Sequence, residues 1–295
     1  MKQKGKMSGK KLKQMFVTYT FVLPDFIGLL VFIIIPIIYS FYMSLYDWNF
    51  ANIKQFIGIQ NYVTMFSDSE WWQSLGRTFK LTLLYVPALF ILSILFAVLI
   101  NYVKNEKAAG FVKTAFLLPY SITSVIASCL WMFLYMDRSG FINVFLKAFG
   151  LKGEKFLGST SQAMVAVVLI WINLGYNIIL FLSAIKDIPY SYYEAAKLDG
   201  ANSWQTFWKI TFPLLKPTSV FVLITSVIAS FQCLDLIMVM TGGGPAKSTE
   251  VASLYIYKQS FEMMKAGYGA GLSVVMFLIL TVLAVIMLKI NGKEE

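Results

Sequence analysis

Apolar residues run along this chain in six stretches separated by short polar interruptions: 26–45, 81–103, 114–136, 162–185, 218–240 and 267–288. A helix rises about 1.5 Å per residue, so roughly 20 mainly apolar residues cross about 30 Å of hydrocarbon. Five of the stretches contain no Asp, Glu, Lys or Arg, and the one at 218–240 contains only Asp235. Core helices of soluble proteins are rarely this long. The pattern predicts an all-α, polytopic membrane protein with six transmembrane helices. A basic tail at 1–15 precedes a single membrane domain at 16–295. Composition agrees: 58% of residues are hydrophobic and 14% charged, against about 25% charged in soluble domains.

The net charge of +10 would suit nucleic acid if it were spread over one surface, but it is not. Lys2, Lys4, Lys6, Lys10, Lys11 and Lys13 all precede the first stretch. Basic flanks are retained in the cytoplasm, so with six spans both termini are expected inside a bacterial cell membrane. That topology puts 15 of the 25 Lys and Arg residues inside. The loop carrying Arg138, Lys147, Lys152 and Lys155 runs against the bias, since it falls outside. The first apolar run is too long for a cleavable signal, and no A-x-A site follows it. Cys129 and Cys233 both fall within predicted spans and read as packing residues. There is no histidine, which excludes a His metal site or His general base; no catalytic or metal-ligating set is expected.

The connections differ in character. The first outer loop carries Trp48, Phe50, Phe56, Tyr62, Phe66, Trp71 and Trp72, residue types that favour the membrane interface. It reads as a lid packed on the bundle or as a docking surface for an outside partner. The outer loop 137–161 holds an apolar, helix-like piece (Phe141, Val144, Phe145, Ala148, Phe149) ending at Gly150. The long inner loop, 186–217, has two short helical signatures. The first opens at Pro189, suited to a helix start, and ends at Gly200. The second opens at Asn202 with Gln205 three residues on, a capping-box pair, and runs through Phe207 and Trp208 to Pro213. A loop that merely joined two spans would not need this construction.

Glu194-Ala195-Ala196, then Asp199-Gly200-Ala201, followed by Phe207, Ile210, Pro213 and Pro217, resembles the EAA loop of bacterial ABC-importer permeases. The outer aromatic loop, the turn Thr241-Gly242-Gly243-Gly244-Pro245, the segment from Tyr39-Ser40 to Asp47-Trp48, and Phe116-Leu117-Leu118-Pro119 are similar to the carbohydrate-uptake branch, in particular its MalF-like subunits. The resemblance covers about 23–288. It implies a type I importer permease fold and a coupling helix seated in a groove of a separate ATPase, with Tyr193, Glu194, Ala195, Ala196, Asp199, Gly200 and Ala201 as the contact element. It also implies two ATPase copies, a second permease and an extracellular or periplasmic solute-binding protein as partners. This chain would bind no cofactor, ATP and Mg being used by the ATPase. The nearest approach to a P-loop, Gly5 to Gly9-Lys10, is one residue short and has Lys11 where Ser or Thr belongs.

Polar side chains deep in a bilayer are costly and gather where they meet water, a partner or cargo. The fourth span holds Trp171, Asn173, Gly175 and Asn177 with Tyr176, and the fifth holds Gln232 and Asp235. The resemblance implies that cargo, a sugar, oligosaccharide or related polyol, binds near these stretches. Interhelical hydrogen bonding is the competing role for Asn173 and Asn177. Asp235 is expected either to line the cavity or to pair with a neighbour. Pro36, Pro87 and Pro119 are expected to kink their spans, and Gly267, Gly269 and Gly271 to permit close helix approach. Two alternatives remain: an ion-gradient-driven secondary transporter, against which no inverted halves are visible, and a membrane enzyme, against which no titratable groups converge apart from Glu194 and Asp199.

Overall fold

The computed structural model describes residues 9–51, 54–137, 139–158 and 161–291. Lys2, Lys4, Lys6, Gly5, Arg138 and Lys293 lie outside the described residues, and for Lys10, Lys11 and Lys13 only the backbone is described. The fold divides into two compact units.

The first unit takes the chain up to Ser67 together with Gln259–Val275. Helix α1 (Gly9–Leu29) passes through a π-turn at Leu30–Ile34 into α2 (Ile35–Met43). Pro36 follows the π-turn, where the missing N–H leaves a helical bond unmade. A two-stranded hairpin, β1 (Tyr46–Asp47) on β2 (Gln55–Phe56), leads into α3 (Gln60–Ser67). The aromatic loop is thus folded, and sequence reading missed what organises it: Lys54 Nζ lies 4.6 Å from the Trp48 ring centre and 5.3 Å from that of Tyr39, a cation held over aromatic faces. The expected close approaches occur here. A side chain on Gly267 would meet the Tyr46 carbonyl, and one on Gly269 would meet Ser260.

The second unit comprises Asp68–Lys258 and the chain from Met276 onward. Asp68 caps α4 (Ser69–Asn101), accepting from the backbone N–H of Glu70 and Trp71. After α5 (Glu106–Leu117) come a 3₁₀ turn at Leu118–Ser121 and α6 (Ser124–Tyr135). Then follow α7 (Phe141–Ala148), α8 (Ser161–Lys186), α9 (Tyr190–Leu198) and α10 (Ser203–Thr206). A π-turn at Phe207–Thr211 joins α10 to α11 (Phe212–Leu214), and α12 (Lys216–Phe231), α13 (Leu234–Met240) and α14 (Ala252–Tyr257) complete this stretch. A third π-turn, Lys258–Glu262, precedes α15 (Ala266–Asn291), which contributes to both units.

Among the described residues four helices are long and apolar enough to cross a membrane, or six if each of two bent pairs is one span. The expected third span is one of the bent pairs, turning 102° between Glu106–Ser121 and Ser124–Tyr135. Pro119 ends the first helix, and Thr123, in extended backbone, starts the second by accepting from Ile126 N–H; that capping signal was readable and went unread. The other bent pair turns 67° where α11 gives way to α12. The expected fifth span also breaks at Gln232–Cys233, between α12 and α13. Pro87 lies inside α4 without breaking it.

The core of the second unit is built on α4 and α8. Leu81, Leu89, Ala97, Val168, Ile178 and Phe181 are buried. Helices surrounded by lipid gain little from the hydrophobic effect and associate through close contact and interhelical hydrogen bonds. Both are present. A side chain on Gly175 would strike the Phe116 carbonyl, so α8 and α5 meet backbone to backbone. Thr82 and Ser230 share a hydrogen bond of 2.8 Å, and Gln162 Nε2 donates to the Arg77 carbonyl at 2.6 Å.

Candidate functional site

Loop 186–217 forms two legs around a glycine. Helix α9 ends in a Schellman arrangement: Ala201 N–H donates to the Ala196 carbonyl at 2.9 Å and Gly200 N–H to that of Lys197 at 3.2 Å. Gly200 has φ +73°, a left-handed conformation that other residues adopt only at a cost. Asn202 and Gln205 form the reciprocal capping box. The spacing of these residues therefore dictates the turn.

The two legs are seated differently. In the first, Ala196 is buried and Tyr193 half-buried, while Glu194, Ala195 and Asp199 are exposed and Leu198 is 90% exposed. In the second, Phe207 and Phe212 pack against a core cluster of Ile94, Ala97, Ile100, Ile185, Leu215 and Val222. That cluster draws on α4, α8 and α12 at once. Trp204 is 71% exposed. Tyr193 Oη and Thr211 Oγ1, 3.3 Å apart, link the legs. A cavity of about 890 Å³ lies between α9 and the ends of α4 and α8, lined among others by Asn101, Tyr102, Lys186, Lys197 and Thr206. The first leg is buried only at Ala196, whereas the second is anchored by the buried Thr211 and by the half-buried Phe207 and Phe212, the rest of both legs being mostly exposed.

The polar residues of the spans are arranged in a way the sequence did not disclose. Asn173 Nδ2 donates to the Leu169 carbonyl and Asn177 Nδ2 to that of Asn173, both at 2.9 Å. The amide N–H₂ groups therefore bond within their own helix and do not bridge to a neighbour. Asn177 Oδ1 is buried without a partner among the described residues, and so is Trp131 Nε1. Trp131 packs edge-on against Trp171 with ring centres 5.6 Å apart and lies 5.1 Å from Tyr135. Tyr176 stacks on Tyr120 at 4.8 Å. Trp131, Tyr135 and Tyr120 were missed in the sequence because an aromatic ring in an apolar run carries no periodic signal. Gln232, in the break between α12 and α13, and Asp235, in the first turn of α13, are exposed, and among the described residues neither hydrogen-bonds to Asn173 or Asn177. Gly175 serves close packing on Phe116. Among the described residues no group of three or more His, Cys, Asp or Glu could hold a metal ion.

The sequence profile of the binding-protein-dependent transport system inner membrane components matches residues 56–292. The chain belongs to that family. It is 31% identical over 277 residues, covering 94% of each chain, to the probable starch degradation products transport system permease protein AmyD of Thermoanaerobacterium thermosulfurigenes. It is likewise 31% identical over 284 residues, 95% of this chain and 95% of the relative, to the trehalose/maltose transport system permease protein MalF of Thermococcus litoralis. Its fold is similar, with a TM-score of 0.77 and 26% identity, to a chain in the crystal structure of a bacterial alginate ABC transporter in complex with an alginate pentasaccharide-bound periplasmic protein. That match covers 96% of this chain and 95% of the other. Family membership makes this an inner-membrane, multi-pass transport component, and the ion-gradient alternative is set aside. The match reaches across both legs of loop 186–217.

Proposed function

We propose that this permease pairs with a second, different permease to form the path for a sugar, oligosaccharide or related polyol in an ATP-binding-cassette importer. A binding protein delivers the solute on the outer side, and two ATPase copies act on the inner side. Both termini are cytoplasmic in this reading, as the basic tail favours. The chain itself holds no cofactor and does no chemistry; ATP and Mg belong to the ATPase.

One observation carries the proposal: of two largely exposed legs, only the second is anchored by aromatic side chains to the cluster shared by the spans. Helix α9 and its cap offer an exposed surface with two acids, Glu194 and Asp199, the small Ala195 and a protruding Leu198, suited to a groove. The second leg is packed through Phe207 and Phe212 into the cluster shared by α4, α8 and α12. Force applied to α9 passes through Gly200 and the Tyr193–Thr211 contact into that cluster and tilts the helices. Packed interiors transmit displacement because they are dense.

On the cargo side, Trp171 with Trp131 supplies aromatic faces that suit the apolar side of a sugar ring, and the unsatisfied Asn177 Oδ1 can accept from a hydroxyl. Asn173, Gly175, Gln232 and Asp235 complete the proposed set, Gly175 as the packing point that holds α8 in place. The test is direct. Solubilised under mild conditions, the chain should bring an ATPase with it, and Glu194→Lys should remove that ATPase. Retention of both ATPase and transport in the variant would overturn the coupling role.

A further inference from the structure

Helix α7 presents an apolar stripe that is left exposed among the described residues. Phe141, Val144, Phe145, Ala148 and Phe149 are all exposed, Phe149 at 69%. At about 100° per residue these five positions share one face. Asn143 falls on the opposite side and is buried, donating through Nδ2 to the carbonyls of Met136 (3.3 Å) and Glu154 (2.9 Å) and accepting from Glu154 N–H at 2.8 Å. The helix is finished as carefully as α9. Gly150, at φ +74°, donates to the Lys147 carbonyl, and Leu151 N–H donates to that of Leu146. A helix pinned from behind and capped at its end, with its apolar face outward, is built to meet something.

We infer that α7 lies in the membrane interface, its stripe in the acyl boundary and its lysines on anionic phospholipid headgroups. Two features select this occupant. The stripe continues an exposed apolar surface, because α7 is tied to the end of α6, where Val125, Ile126, Leu130, Phe133 and Met136 are exposed. The loop is also basic: Lys147, Lys152 and Lys155 are exposed against two acids, Asp137 and Glu154. These are the lysines that contradict the positive-inside bias, and anionic headgroups give them a reason to be there. Loop 137–160 and the inner loop lie at opposite ends of α8, so α7 belongs to the leaflet away from the coupling loop. Only the choice of leaflet rests on the proposed orientation.

Site-directed spin labels test this in the assembled importer, reconstituted in nanodiscs containing phosphatidylglycerol, with Cys129 and Cys233 replaced by alanine. At Val144→Cys and Phe145→Cys, oxygen accessibility should be high and that of a water-soluble nickel relaxant low, with the ratio reversed at Lys152→Cys. High nickel accessibility at 144 and 145 would mean a water-facing helix, and low accessibility to both probes a protein-covered one; either overturns the inference. As a second measure, transport should fall several-fold when phosphatidylcholine replaces phosphatidylglycerol, and Lys147→Gln with Lys152→Gln and Lys155→Gln should abolish that lipid dependence. A dependence unchanged in the triple variant overturns the headgroup contact. These depth readings do not depend on ATPase binding, so they stand apart from the coupling test.

Discussion

The Tyr193 hydroxyl sits 3.3 Å from Thr211 Oγ1 and so joins the first leg of loop 186–217 to the second, which Phe207 and Phe212 anchor to the core cluster. A single neutral hydrogen bond contributes about 0.5–1.5 kcal/mol net, enough to bias a lever without being needed to fold it. Tyr193→Phe is expected to leave ATPase binding intact while transport per ATP hydrolysed falls a few-fold. Parallel assays of uptake and ATPase activity in proteoliposomes check this. Unchanged coupling would show that the two legs move together for other reasons.

Leu198, 90% exposed beside Gly200, is the large apolar side chain of α9 that a groove would bury. Buried interface anchors commonly cost more than about 1 kcal/mol when truncated. Leu198→Ala should weaken ATPase association by roughly tenfold, which corresponds to about 1.4 kcal/mol. Titration of the purified ATPase against the permease pair measures it, and an unaltered affinity removes Leu198 from the interface.

At Gly175 any side chain would meet the Phe116 backbone. Overpacking of this kind typically costs about 1–3 kcal/mol, and here backbone opposes backbone, so neither side can swing away. Gly175→Leu is expected to lower the thermal midpoint of the detergent-solubilised assembly and to reduce its yield. Gly28, with open space around its added Cβ, serves as the control, and Gly28→Ala should change neither.

Asn177 distinguishes cargo binding from packing. Its Oδ1 has no partner among the described residues, while its Nδ2 bonds the preceding turn of its own helix. Asn177→Leu keeps the volume and removes the acceptor. If the oxygen meets a hydroxyl of the solute, the half-saturation concentration for uptake should rise about tenfold, as expected for the loss of one hydrogen bond of about 1.4 kcal/mol, with basal ATPase activity unchanged. Equal uptake by the variant would assign the residue to packing alone.

Glu250, buried, pairs with Lys258, and Tyr255 donates to Asp68 Oδ2 at 2.6 Å. Removing one partner of a buried pair leaves a charge uncompensated and costs more than the pair contributes. Glu250→Gln should therefore lower the unfolding midpoint by several degrees, and Glu250→Gln with Lys258→Met should recover part of the loss. Thermal melts followed by tryptophan fluorescence decide it.

The sequence by itself determined the membrane class and the caps and glycine reversal of loop 186–217. Helix caps, the Gly200 reversal and the apolar runs depend on neighbours a few residues away, and such effects can be read one segment at a time. Even there a signal went unread: Thr123 was a legible cap, and with Pro119 it turns the third span into two helices at 102°. Only the tertiary structure decided which leg of the loop is gripped by the bundle, that Trp131 joins Trp171, and that Asn173 and Asn177 spend their N–H₂ groups inside their own helix. Those outcomes depend on which faces of distant helices meet. Hydropathy is nearly uniform around a helix bathed in lipid, so it carries little record of which face turns toward a neighbour.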